Sequence, residues 1–277
     1  MSEGIREDRP FKQGLPLTPV MSQYLLTAIC ATALLMSNSS PVSGQDFLLM
    51  NSRLNADGQF SSVDIQGRVE LADTPLPPAS TFKTVIAWAG LESGRLSLDT
   101  EILCSDSFIP DAPRKLRLEE AMRLSSNDYF VEAVRRIGHD SFVSLVNRSG
   151  FLQETVPDNW LRNHPKATAH AGDQKVTARH LHHWMEQIAS KGLSKNSKIN
   201  RELLQSMTWK EDEAGGYKIY GKTGTHFGVA RFIAIIEKSS GEKYVVSSLV
   251  PYRRGVDDAR TARNQAVELV EKFASRR

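Results

Sequence analysis

Three short clusters of residues could perform covalent chemistry together. Ser80-Thr81-Phe82-Lys83 sets a hydroxyl and an amine three positions apart, so on a helix both lie on one face and Lys83 can reach the Ser80 oxygen. A serine hydroxyl is a weak nucleophile until a base takes its proton, and a lysine becomes that base when desolvation or a neighbouring cation lowers its pKa. In Ser125-Ser126-Asn127 the Ser125 hydroxyl can relay a proton to a leaving amine, and the Asn127 amide can fix Lys83 or a substrate amide. Lys222-Thr223-Gly224-Thr225 completes the set. Gly224 lets a substrate approach the backbone closely, Lys222 supplies positive potential for a carboxylate, and the Thr225 N–H can pair with that of Ser80 in an oxyanion hole. Each cluster alone is an ordinary helix end, cap or turn. Their order on a helix, a helix break and a strand points instead to acyl transfer at Ser80.

Elements must bring these clusters together. Residues 46–71 alternate in short runs broken at Asp57-Gly58 and Gln66-Gly67, which predicts small strands and turns, and Pro75, Pro77 and Pro78 end that region. Residues 79–92 are apolar at helical spacing with Gly94 as C-terminal signal, placing Ser80 in the first turn of a helix. A second helix over about 116–124 breaks at Ser125-Ser126-Asn127, where serine and asparagine compete for backbone hydrogen bonds, and resumes over 128–137. Further helices are expected near 140–147, 177–191 and 197–209. Residues 217–220, 229–236 and 244–250 then read as an antiparallel meander, with an amphipathic helix over about 256–274 packed on it. The fold class is α+β: an antiparallel sheet from both ends of the chain (about 45–78 and 216–277), flanked by helices, with an all-helical lobe (about 79–215) inserted.

Composition removes other chemistries. The 277 residues carry 35 Lys+Arg against 32 Asp+Glu, a net charge of +3 with no basic stripe, so a nucleic-acid partner is not expected. Two cysteines, Cys30 and Cys104, are too few for a disulfide scaffold or a cysteine zinc site, and no metal site is expected. His180, His182 and His183 lack the i, i+4 pairing of a helical zinc site and have no evident carboxylate nearby, so they read as a polar helix face. His226 should border the pocket without an assigned role. Gly216 to Thr223 matches a phosphate-loop pattern formally, but YKIY reads as strand and no helix follows to face a phosphate.

The apolar run from Tyr24 to Met36 falls short of the roughly 20 residues of a membrane span. Small and polar residues follow it, with a plausible cleavage point at Gln45, so residues 1–44 read as a leader and residues 45–277 as a single catalytic domain, secreted or periplasmic. The first 20 residues are neutral for such a leader, which leaves a start at Met21 open; a membrane is involved only if the leader stays uncleaved. Removal of Cys30 with the leader would leave Cys104 unpaired.

The stretches PASTFKTVIAWAGLESG, LSSNDYFVEAVRRIG and GGYKIYGKTGT resemble class D serine β-lactamases and the related penicillin-sensor domains, over most of residues 76–250. That resemblance implies attack of Ser80 on a β-lactam carbonyl to give an acyl-enzyme, with Lys83 as general base and Ser125 as proton shuttle. It also implies that Lys222, Thr223 and Thr225 contact substrate and oxyanion, and that Trp160 steadies a lysine carboxylated by CO2, the only modification expected and no separate cofactor. Arg260 and Arg263 are both candidates for the substrate carboxylate. The chain departs from class D at Asn127, where an apolar residue is usual, and at Thr225; both resemble transpeptidases. Asn127 would hold Lys83 as a plain amine, permitting acylation yet slowing deacylation. Asn147-Arg148-Ser149-Gly150 stands where a Tyr-Gly-Asn segment is typical, and Glu154 has no convincing context as a deacylating base. Three activities therefore stay open: hydrolysis of β-lactams, D,D-peptidase or transpeptidase action on D-Ala-D-Ala peptides, and a β-lactam sensor that stays acylated.

Overall fold

The computed structural model describes residues 46–276 apart from 161–170, 173 and 227. The leader expected over 1–44 lies outside the described residues, none of whose helices is long and apolar enough to cross a membrane. The chain opens with the antiparallel pair β1 (Leu48–Arg53) and β2 (Asp64–Gly67). A 3-10 turn, Ala79–Phe82, carries Ser80 and runs into α1 (Lys83–Glu92). The short ribbon β3 (Ile102–Cys104) and β4 (Arg114–Leu116) precedes α2 (Leu118–Leu124), α3 (Asn127–Ile137) and α4 (His139–Ser149). Then come α5 (Ala178–Ser190), α6 (Ser197–Ser206), β5 (Thr208–Asp212), β6 (Tyr217–His226), β7 (Val229–Lys238), β8 (Lys243–Pro251) and α7 (Ala259–Ala274).

Six strands form one antiparallel sheet in the order β2-β1-β8-β7-β6-β5, so the first strands of the domain close against its last one, as the sequence pattern implied. β7 explains why its sequence, VARFIAIIEK, is almost continuously apolar. Successive side chains point to opposite faces, and both faces are covered. Ala230, Phe232, Ala234 and Ile236 pack with Ala262, Ala266, Val270 and Ala274 of α7, whereas Ile233 and Ile235 join the core of the helical segment.

Three details differ from the sequence reading. The helical segment also holds the β3–β4 ribbon. The helix expected to 209 ends at Ser206, because Thr208 and residues 210–212 pair with β6 around an irregularity at Trp209, and Trp209 packs on Phe232 with ring centroids 5.0 Å apart. The expected polar histidine face is a buried clamp. His182 is fully buried, with Nε2 2.9 Å from Ser52 Oγ on β1 and Nδ1 3.0 Å from Ser247 Oγ on β8. Burial pushes it down to about 3, so it stays neutral, one ring nitrogen donating and the other accepting. A carboxylate also lies close by after all: Glu186 accepts from Ser52 Oγ at 2.5 Å and lies 2.7 Å from His183 Nδ1.

Phe82 ties the Ser80 turn to the helical core. Its ring is fully buried and meets Phe142, Phe151 and Trp160 at centroid distances of 6.1, 5.5 and 6.1 Å. Phe82→Ala removes that anchor and leaves a cavity, for which about 3–5 kcal/mol of lost stability is expected; urea unfolding measures it.

Candidate active site

The nucleophile turn is built to present one side chain. Ala79 enters it at φ 53°, a left-handed conformation that costs a non-glycine residue about 1 kcal/mol, so the surrounding contacts must hold it. Thr81 Oγ1 closes the turn on the Pro78 carbonyl at 2.6 Å. Ala79, Thr81 and Phe82 are buried while Ser80 is only half-buried, so it alone of the four keeps a partly accessible side chain. The turn that carries Ser80 is 3-10 and not the expected first turn of an α-helix, and it leads directly into Lys83, three positions on and the first residue of α1.

Lys83 is wholly buried. Its Nζ donates to the Ser125 carbonyl at 2.6 Å, to Asn127 Oδ1 at 2.7 Å and to Ser125 Oγ at 3.2 Å. Burial pushes its pKa down to about 7 against the opposing pull of the Asp106 carboxylate, so near neutrality a large share of Lys83 is the free amine that a base must be. Lys222, on β6, donates to the same Ser125 Oγ at 3.0 Å and to the Thr223 carbonyl at 3.0 Å. Burial, then repulsion from Lys83 and Arg263, hold Lys222 well below the ordinary lysine value. The Ser125 hydroxyl thus bridges two amines whose proton affinity is lowered, and can accept a proton from one side while donating on the other.

Ser125 reaches this place through local strain and capping. It ends α2 at φ 59°, its N–H bonded to the Met122 carbonyl, while the next N–H, of Ser126, returns to Ala121. Ser126 then caps α3 by accepting from the Tyr129 N–H at 3.1 Å. The helix break expected from sequence is therefore a C-cap followed directly by an N-cap, and Asn127 is the first residue of α3.

The strand that carries the third cluster runs further than expected, to His226, so Lys222-Thr223-Gly224-Thr225 is wholly strand. β5 pairs only as far as Tyr220, and past it the backbone of β6 backs onto the Ser80 turn. A Cβ on Gly224 would lie 2.9 Å from the Pro78 carbonyl oxygen and 3.2 Å from the Thr81 nitrogen. Thr223 is buried, and the Thr225 hydroxyl is buried without a hydrogen bond. All eight residues singled out from sequence thus lie on elements that meet at Ser125 or at the Ser80 turn.

Residues 40–270 match the model of the penicillin binding protein transpeptidase domain. The chain belongs to that family. It is 23% identical over 247 residues to the probable β-lactamase YbxI of Bacillus subtilis (strain 168), covering 80% of this chain and 85% of that protein. Its fold is similar to that of a class D β-lactamase from Fusobacterium nucleatum subsp. polymorphum, with a TM-score of 0.68 at 16% identity over 91% of this chain and 96% of that one. A class D β-lactamase from Bacillus subtilis gives 0.65 at 21% identity over 82% and 91%. These relatives have the α+β architecture expected from sequence.

Within this transpeptidase-family domain the remaining candidates separate. Arg263 is the arginine whose charge reaches Lys222; Arg260 is not among the groups that act on it. Glu154 is exposed in the loop after α4. Asn147 pins that loop, donating to the Val156 carbonyl and accepting its N–H, both at 2.9 Å. Gly216 to Thr223 lies almost entirely in β6, with no helix behind it, which rules out the phosphate-loop geometry. His226, half-buried at the end of β6, is held below its ordinary value by burial and then by Arg254. Cys104 is a buried free thiol whose pKa burial raises. Asp106 was not visible as a site residue: its contacts with Ser126 and Asn127 cross 20 and 21 residues, and a lone acid in the turn after β3 gives no periodic signal.

Gly224→Ala would press a methyl group against the backbone of the Ser80 turn. Denaturant unfolding is expected to show a loss of about 1–3 kcal/mol; wild-type stability would mean that strand and turn are not in contact.

Proposed function

We propose that this protein is an active-site serine enzyme that takes the acyl group of a β-lactam onto Ser80 and hydrolyses it. The observation that carries this reading is the meeting of Lys83 and Lys222 at Ser125, with Asn127 also bonded to Lys83, where β6 packs on the Ser80 turn. In the first step neutral Lys83 takes the Ser80 proton as its oxygen bonds to the β-lactam carbonyl carbon. The oxyanion that forms is held by the backbone N–H groups of Ser80 and Thr225. As the ring C–N bond breaks, Ser125 passes the proton from Lys83 to the leaving nitrogen. Lys222, Thr223 and Arg263 receive the substrate carboxylate. In the second step Lys83, neutral again, takes a proton from water as the water oxygen bonds to the ester carbon, and returns that proton to the Ser80 oxygen as the ester C–O bond breaks. The names of the relatives, probable and class D β-lactamases, support this substrate class.

Lys83 works here as a plain amine. As a neutral amine Nζ has two N–H groups, one each for the Ser125 carbonyl and the Asn127 amide oxygen, and a lone pair; a carboxylated lysine nitrogen is planar with one N–H and would leave one of those two acceptors without a donor. The buried Trp160 indole N–H, which has no hydrogen-bond partner among the described residues, is a feature that favours a carboxylate. A second reading, peptidase or transpeptidase action on D-Ala-D-Ala peptides, is favoured by that Asn127 bond and by Thr225; it differs in the amide that Ser80 attacks and, for a transpeptidase, in an amine and not water taking the acyl group. An exported location suits both substrates, in keeping with the leader-like segment before residue 45.

Mixing purified protein with a chromogenic cephalosporin, with and without bicarbonate, tests the proposal when intact mass is followed alongside. Steady turnover indifferent to bicarbonate is expected, with a transient adduct absent from Ser80→Ala. A stoichiometric burst with a lasting adduct would move the function to a transpeptidase or sensor, which a D-Ala-D-Ala peptide assay then separates; no adduct at all would overturn all three.

A further inference from the structure

Asp106 lies in the turn after β3, is nearly buried, and spends its whole carboxylate on the helix break that carries Ser125 and Asn127. Its Oδ2 accepts from the Ser126 hydroxyl at 2.5 Å and from the Asp128 N–H at 3.3 Å, while Oδ1 accepts from the Asn127 N–H at 3.1 Å. The first backbone N–H groups of a helix have no partner within it and carry its positive end, so a carboxylate there is doubly favourable. With Ser126 taking the Tyr129 N–H, the first three N–H groups of α3 are satisfied, two of them by a residue some twenty positions earlier. The clamp is reciprocal: Asp128 accepts from the Ser105 N–H at 2.7 Å.

We infer that Asp106 is the positioning residue of the site, a carboxylate that fixes the start of α3 so that Ser125 and Asn127 both face Lys83. The inference rests on the proposed acylation of Ser80. Two neighbours of the clamped segment are the acceptors of Lys83: the Ser125 carbonyl and the Asn127 amide oxygen, at 2.6 and 2.7 Å. Asp106 also acts on Lys83 through space, its negative charge favouring the ammonium and opposing the effect of burial. The other charged groups around this pair are Lys222 on β6, which Lys83 repels, and Arg263 on α7, which acts on Lys222; Cys104 and Asp128 are neighbours of Asp106 itself. One residue therefore sets both where the acceptors of Lys83 stand and how strongly Lys83 keeps its proton.

The test is Asp106→Asn, which keeps size and removes charge, with Lys83 titrated by 13C NMR of its side chain in the unliganded protein. Loss of the anion should move that titration to lower pH by about one pH unit, and the acid limb of β-lactam acylation should move with it. The plateau acylation rate should fall about 10- to 100-fold through misplacement of Ser125 and Asn127. A purely structural role would lower stability and leave the Lys83 titration in place, which would overturn the inference. Should the asparagine variant not fold, Ser126→Ala keeps the charge and breaks one link. It should slow acylation several-fold with the Lys83 titration unmoved, and wild-type acylation would overturn the inference. Failure of the wild-type protein to acylate would refute the β-lactam reading, while the Lys83 titration would still decide the role of Asp106.

Discussion

The chemistry of this protein depends on the burial of one amine. Lys83 is the first residue of α1, every residue of which from Lys83 to Leu91 is buried, so its ammonium loses most of the solvation that would stabilise a positive charge. A lone ammonium in such surroundings is disfavoured by several kcal/mol and gives up its proton instead. That is the property a general base requires, and it is obtained here from packing alone. The limit on it is set by the acceptors supplied. Without Ser125 and Asn127 the amine would be an orphaned donor, and with a second anion as close as Asp106 it would stay protonated and inert.

The rest of the structure serves to place those acceptors and the nucleophile around this amine. Phe82 and its aromatic neighbours hold the Ser80 turn from the helical side, and Gly224 lets β6 close on it from the sheet side. β6 also brings Lys222, a second desolvated amine, to the far side of Ser125. The sheet can be that close to the turn because both of its faces are covered: α7 packs on one, and α5, locked by His182 between Ser52 and Ser247, on the other. Rigidity on both sides of the cleft keeps two lysines within reach of one hydroxyl without either drifting to solvent.

Much of this was legible in the sequence. The helical spacing of residues 79–92, the alternation of the last three strands and the three clusters in order are local or regularly spaced signals, and they gave the sheet, the helices and eight candidate residues whose elements meet at Ser125 or at the Ser80 turn. What could not be read depends on contacts far apart in the chain. Asp106 acts on α3 from another element, His182 read as part of a polar helix face because its serine partners lie 130 and 65 residues away, and the effect of Arg263 on Lys222 joins α7 to β6. β5 was missed for a related reason. Thr208 and Trp209 continue a helical pattern, and only pairing with β6 and the packing of Trp209 on Phe232 make them strand.

The proposal that a desolvated Lys83 amine is the base for Ser80 is tested most directly by the pH dependence of the acylation rate, followed by stopped flow in bicarbonate-free buffer. A protonated amine cannot accept the Ser80 proton, so the rate should rise with pH through a single ionisation near the value of about 7 that burial imposes on Lys83, then level off. A rate that is flat from about pH 5 to 8, or that appears only when bicarbonate is added, would contradict it.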